Sequence, residues 1–158
     1  MRARAVTCLA SLGLLLAAGS APADSQFHGS RVYVASEACS GRTYRPSRIT
    51  IACGDGGFFA TGIRYSHYGG RVASATAELN THSCVPNCAQ SAFHAFPGTI
   101  ALLDVVRCDG ALYYSEIRYS FTDGAPYGED RTGRANIRPQ YDTVRRVAVP
   151  VRCSTVLG

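Results

Sequence analysis

The sequence predicts an all-β protein: an antiparallel β-sandwich or, as the alternative, a small β-barrel, stapled by disulfides. Three observations carry this. Apolar residues recur at every second position in most segments, and no stretch offers a capped amphipathic helix of useful length. Gly- and Asp-containing turn signals separate those segments at short intervals. One phrase also occurs twice, "CGDGGFFATGIRYS" at residues 53–66 and "CDGALYYSEIRYS" at residues 108–120. Each copy has the order of a β-hairpin: a strand ending in Cys, an Asp-Gly turn, and a strand ending Ile-Arg-Tyr-Ser.

In chain order, residues 1–23 read as a signal peptide that is cleaved. Arg2 and Arg4 form a positive start, residues 9–18 a short apolar run, and Ala21, Pro22 and Ala23 a small-x-small cleavage site before Asp24. The apolar run is shorter than the roughly 20 residues of a membrane span. Cys8 precedes that run, so it is not placed for lipidation. Residues 24–158 then form a single secreted β domain of ordinary size.

The strands follow. "RVYVA" is a weak strand. "SRITIAC" alternates Ile49, Ile51 and Cys53, and "FFATGIRYS" puts Phe59, Ile63 and Tyr65 on one face with Arg64 pointing away. "RVASATAEL" reads as a strand with small inward alanines. "TIALLDVVRC" alternates Ile100, Leu102, Val106 and Cys108, with Asp104 on the same face. In "ALYYSEIRYSFT", Tyr113, Ser115, Ile117, Tyr119 and Phe121 share one face, and Tyr114, Glu116, Arg118 and Ser120 the other. "VRRVAVPVRC" alternates Val147, Val149, Val151 and Cys153, and Pro150, which has no N–H to donate, makes it an edge strand. The stretch 123–142 is read as one long, charged loop, and such loops often carry function.

Asp-Gly suits a two-residue hairpin turn, because both central residues need positive φ. Gly54 lengthens the first copy into a bulged or longer loop. A functional alternative takes Asp55 and Asp109 as acids and Arg64 and Arg118 as anion ligands. Turn chemistry accounts for the aspartates without any ligand.

Beyond Cys8 there are six cysteines: Cys39, Cys53, Cys84, Cys88, Cys108 and Cys153. An even number in an exported chain reads as disulfides, with 15 possible connectivities. Zinc is the competing reading, because His82, Cys84, Cys88 and His94 cluster in "HSCVPNCAQSAFH". An oxidising compartment favours bridges over thiolates, so neither a metal nor any other cofactor is expected.

The segments Ala52 to Gly56 (A-C-G-D-G) and Cys84 to Ala89 (C-x-P-x-C-A), followed by the aromatic-Pro stretch 93–97, resemble a family of small secreted actinobacterial proteins of unknown function. The likeness covers roughly residues 46–119. The family often carries Trp where this chain has Tyr65 and Tyr68. The resemblance implies export and a shared core and carries over no catalytic residues.

Every basic residue is Arg. Removing Arg2 and Arg4 from the formal charge of +5 leaves +3, which permits attraction to anionic polymers without demanding it. No G-x-S-x-G elbow supports a hydrolase triad of His94 with Ser83 or Ser91. Calcium binding by Asp123, Glu129 and Asp130 matches no ligand loop and is interrupted by Arg131 and Arg134. The strongest catalytic candidates are His94, Glu116 and Arg118, with His67 or His82 as further participants, in a small secreted ribonuclease. The favoured reading is a non-enzymatic binding module outside the cell. Its partner would be an extracellular glycan, peptide or protein, with no specific nucleic-acid binding and no transmembrane span. A protease inhibitor presenting "CVPNC" is a further alternative. The enzyme reading requires His94, Glu116 and Arg118 to converge in one cleft.

Overall fold

The second copy of the repeated phrase forms the tightest turn a hairpin allows. Asp109 and Gly110 have φ of 44° and 83°, the positive pair that a two-residue turn of this kind requires. They join strand β5 (Phe93–Cys108) to β6 (Ala111–Phe121), and Cys108 faces Ala111 directly. The first copy is also a hairpin, with the longer loop that Gly54 implied. It joins β2 (Ile49–Thr50) to β3 (Phe59–His67). These elements belong to a computed structural model that describes residues 30–35, 39–54, 56–83, 85, 87, 91–124, 126–128, 130–140 and 152–155. Residues 1–23, read as a signal peptide, Cys84, Cys88 and the strand read at Val147, Val149 and Val151 lie outside the described residues.

The remaining strands are β1 (Val32–Tyr33), β4 (Ala73–His82), β7 (Thr132–Asn136) and β8 (Cys153–Thr155). All eight form one sheet in the order β1-β6-β5-β4-β3-β2, with β7 added to β6 and β8 to β5. Every pairing is antiparallel except that of β1 with β6. The chain is thus nearly all β, as its periodicity predicted. The sheet curls on itself into a half-barrel, nearer to the barrel alternative than to two facing sheets. Ala73, Ala75, Ala77 and Leu79 line the inner face of β4. These mostly small residues leave room for the large side chains brought in by Ile100, Leu102, Tyr114, Ile117 and Phe121.

Simple alternation failed at two places, and a backbone feature explains each. In β3 the register slips around Gly62, whose φ is 59°. This bulge puts Ala60 and Ile63 into the main core, whereas Phe59 packs at the opposite face against Phe93. In β5, Asp104 takes φ 52° and its carbonyl accepts a 2.6 Å hydrogen bond from the Ser115 hydroxyl. The kink turns Asp104 to solvent and rotates the strand ends. Val105 and Tyr114 therefore enter the main core, while Val106, Cys108 and Tyr113 form a second cluster with Tyr33 and Cys153. The outward placing of Tyr114, and the single face given to Tyr113 and Ile117, are corrected by this kink.

The stretch 123–142, expected as one loop, contains β7. Its sequence, Thr-Gly-Arg-Ala-Asn, has weak strand propensity, and pairing with Glu116 to Ser120 of β6 imposes the conformation. Arg131 closes this turn by donating from Nε to the Phe121 carbonyl (3.1 Å) and from an Nη to that of Thr122 (2.8 Å). Ile137, fully buried, then closes the core.

Two disulfides are present among the described residues, Cys39–Cys53 and Cys108–Cys153. Neither pins its hairpin internally; each ties a hairpin end to a third segment. With separations of 14 and 45 residues, chain-entropy arguments give about 3 and about 4 kcal/mol of stabilisation.

At the β1 end of the half-barrel, Tyr33, Tyr44, Tyr65, Tyr68 and Tyr114 form a chain of edge-to-face rings. Tyr68 donates to the Val32 carbonyl at 2.9 Å and Tyr65 to that of Pro46 at 3.0 Å. Tyr114 bridges the Gly69 amide and the Gly70 carbonyl. Burial disfavours the phenolate, so the Tyr68 hydroxyl is pushed up to about 12, and those of Tyr65 and Tyr114 are raised above the ordinary tyrosine range.

Candidate functional site

The outer face of the sheet, opposite the core, is built from residues that alternate with the buried ones. On β4 these are Ser74 and Thr76; on β5, Thr99 and Ala101; on β6, Arg118 and Ser120; on β7, Thr132 and Arg134. Their registers align them in two rows running straight across the sheet. One row is Arg64, Thr76, Thr99, Ser120 and Thr132; the other is His67, Ser74, Ala101, Arg118 and Arg134. With neighbouring strands about 4.8 Å apart, each row spans about 19 Å. The side chains are small, so the face sinks into an open groove of about 720 Å³ lined by hydroxyls, with arginines at the β7 end.

Arg118 and Arg134 stand directly opposite one another across β6 and β7. Two like charges at such a position repel. Glu116 relieves this: its Oε1 accepts from Arg118 Nε at 2.9 Å and lies 3.8 Å from an Nη of Arg134. One carboxylate serves two guanidiniums, which leaves the groove end with a net positive charge. A second, smaller cavity of about 280 Å³ adjoins it, lined by Asp104, Ser115, Glu116, Arg134 and Asn136 among others.

The three sequence candidates do not meet. Glu116 and Arg118 pair with each other, but His94 lies elsewhere. It faces Thr81, seven positions along β5 from Ala101, the residue opposite Arg118. At strand rise that is about 23 Å. Alternation also puts His94 on the inner face of the sheet, where it packs against Tyr127 at 6.3 Å between ring centroids. His82 and His94 occupy neighbouring pairs of the β4–β5 ladder and so point to opposite faces. His67 begins the second row, opposite Ser74, and does not line the groove. Asp109 sits in its turn, and Asp123 and Asp130 are exposed. Cys84 and Cys88 lie outside the described residues, and Val85 between them is 73% exposed.

Sequence reading missed the hydroxyl rows and Arg134. The signal was present as small polar residues at alternate positions of successive strands. Only the register shows that they line up, and β7 was not recognised as a strand. Among the described residues no helix is long and apolar enough to cross a membrane. No family model matches this chain, and neither a curated protein nor a solved structure matches it.

Proposed function

We propose that the protein is a secreted, non-enzymatic binding module whose ligand lies in the outer-face groove. The ligand class that fits is an extended, hydroxyl-rich chain carrying an anionic group, that is, an acidic glycan. The observation that carries this reading is the pair of rows crossing five strands. One row offers hydroxyls from Thr76, Thr99, Ser120 and Thr132 at strand spacing, and the other ends in Arg118 and Arg134, which share the Glu116 carboxylate. Hydroxyl groups of a glycan pair with such a surface one by one, and arginine takes a carboxylate bidentately. The separation of His94 from Glu116 and Arg118 favours binding over acid–base catalysis. The disulfides and the signal-peptide pattern support action outside the cell.

The test is calorimetric titration of the mature protein with acidic and neutral oligosaccharides. Binding of an acidic oligosaccharide should weaken at least tenfold in a Thr76→Val, Thr99→Val variant, which keeps shape and strand propensity but removes two hydroxyls. A His94→Ala variant should bind as the parent does. Hydrolysis of an RNA or glycan substrate that is lost on His94→Ala would overturn the reading in favour of an enzyme.

A further inference from the structure

Three arginines decorate the tyrosine cluster at the β1 end, away from the groove's β7 end. The Arg31 guanidinium carbon lies 5.5 Å from the Tyr44 ring centroid, and that of Arg42 5.2 Å from Tyr33. Arg45 spans two rings, at 5.7 Å from Tyr65 and 5.9 Å from Tyr68. The rings are themselves continuous, with Tyr33–Tyr44 at 6.2 Å, Tyr44–Tyr68 at 5.2 Å and Tyr65–Tyr68 at 4.7 Å. Tyr65 and Tyr68 are anchored through their hydroxyls to backbone carbonyls, so the platform is fixed.

All three arginines are exposed, and both ion pairs among the described residues use Glu116 instead. Three positive charges thus share one rim without a carboxylate among the described residues. A guanidinium lying on a ring face still directs its in-plane N–H donors outward, in the fork that matches an oxyanion. Arg45 adds a second, independent observation. Its φ is 51°, in the left-handed region, and it directly precedes Pro46, where an extended conformation is favoured. A bulky residue is held there in a conformation that glycine would adopt more easily, and backbone outliers of this kind gather at binding sites.

We infer that this arginine–tyrosine cluster is an oxyanion-binding site that takes the repeated phosphate or carboxylate groups of a linear, non-aromatic polyanion. The ligand is non-aromatic because arginines already lie over the rings of Tyr33, Tyr44, Tyr65 and Tyr68, where a base would stack. Tyr44, the most exposed of the rings, has Arg31 over it and meets Tyr33 and Tyr68 edge to face. A stacked base would have to displace these guanidiniums. The inference is independent of the groove and stands on different residues.

The experiment titrates the mature protein with inorganic polyphosphate, with polyglutamate, which is not a glycan, and with a charge-matched oligodeoxythymidylate, at low and moderate salt. Polyphosphate or polyglutamate should bind, and which of them binds tighter assigns the oxyanion. The Arg31→Gln, Arg42→Gln, Arg45→Gln variant should lose at least tenfold in affinity and show a shallower salt dependence, while Arg138→Gln, which removes an exposed positive charge outside the cluster, should bind as the parent does. If the triple variant fails to fold, Arg42→Gln alone should lose about threefold, because one of three contacts is removed. Arg45→Gly should keep or raise the melting temperature while weakening binding. The inference is overturned if neither polyanion binds, if the triple variant (or Arg42→Gln in its place) binds as the parent does, or if Arg138→Gln carries the loss. It is equally overturned if Arg45→Gly lowers the melting temperature and leaves binding intact, or if the oligodeoxythymidylate binds tenfold tighter than both polyanions.

Discussion

Tyr119 and Gly133 face each other across the β6–β7 pair, and the tyrosine ring occupies the space that a side chain at position 133 would need. A Cβ built on Gly133 would collide with the Tyr119 ring and hydroxyl. The weak β7 strand is thus held by an aromatic residue laid over its glycine, a recurrent way to stabilise glycine in a sheet.

Gly133→Ala should therefore destabilise the fold by about 1–3 kcal/mol, the usual cost of overpacking. The loss should shrink when Tyr119→Leu is introduced beside it, because the two residues share one space. Urea unfolding of the single and double variants measures both. Strict additivity would show that the ring and the glycine are not coupled.

The Asp109-Gly110 turn makes a second, separate prediction. Gly110 has φ 83°, so Gly110→Ala should cost about 1–2 kcal/mol. Asp109→Asn should cost little, because Asn accepts positive φ as readily as Asp. Thermal melts of the two variants should differ clearly.

Glu116→Gln should leave Arg118 and Arg134 facing each other without their shared counter-charge. All three side chains are partly exposed, so the stability loss should stay within about 1 kcal/mol and shrink at high salt. The groove end gains positive charge, so an acidic oligosaccharide should bind Glu116→Gln more tightly than the parent. Calorimetry at two salt concentrations tests this, and weaker binding would assign Glu116 a direct role in holding the ligand.

The tyrosine cluster sets an alkaline limit. The folded state keeps Tyr65, Tyr68 and Tyr114 protonated above the ordinary value of 10.0. Below pH 10 the hydroxyls are protonated in both states and their contribution is fully present. As pH rises beyond 10, the unfolded chain releases these protons first, and stability falls through the folded value of about 12 for Tyr68. Denaturation followed between pH 9 and 12 should show this decline, with a smaller slope in Tyr68→Phe. That variant should also lose about 1 kcal/mol near neutral pH with its hydrogen bond to the Val32 carbonyl.

The sequence by itself determined the fold class, both repeated hairpins and the turn chemistry at Asp109 and Gly110. These depend on local properties: the two-residue period of a strand and the positive φ that Asp-Gly tolerates. Glu116 and Arg118 were legible as a pair because they sit two apart on one strand. Only the tertiary structure decided which face Tyr114 takes, because the kink at Asp104 rotates the strand and no sequence period records it. It also decided that Thr-Gly-Arg-Ala-Asn is a strand, that Arg134 meets Arg118, and that hydroxyls from neighbouring strands align into a groove. Each of these follows from cross-strand register, which joins residues far apart in the chain. Register is set by the burial of the whole sheet, and no local pattern encodes it.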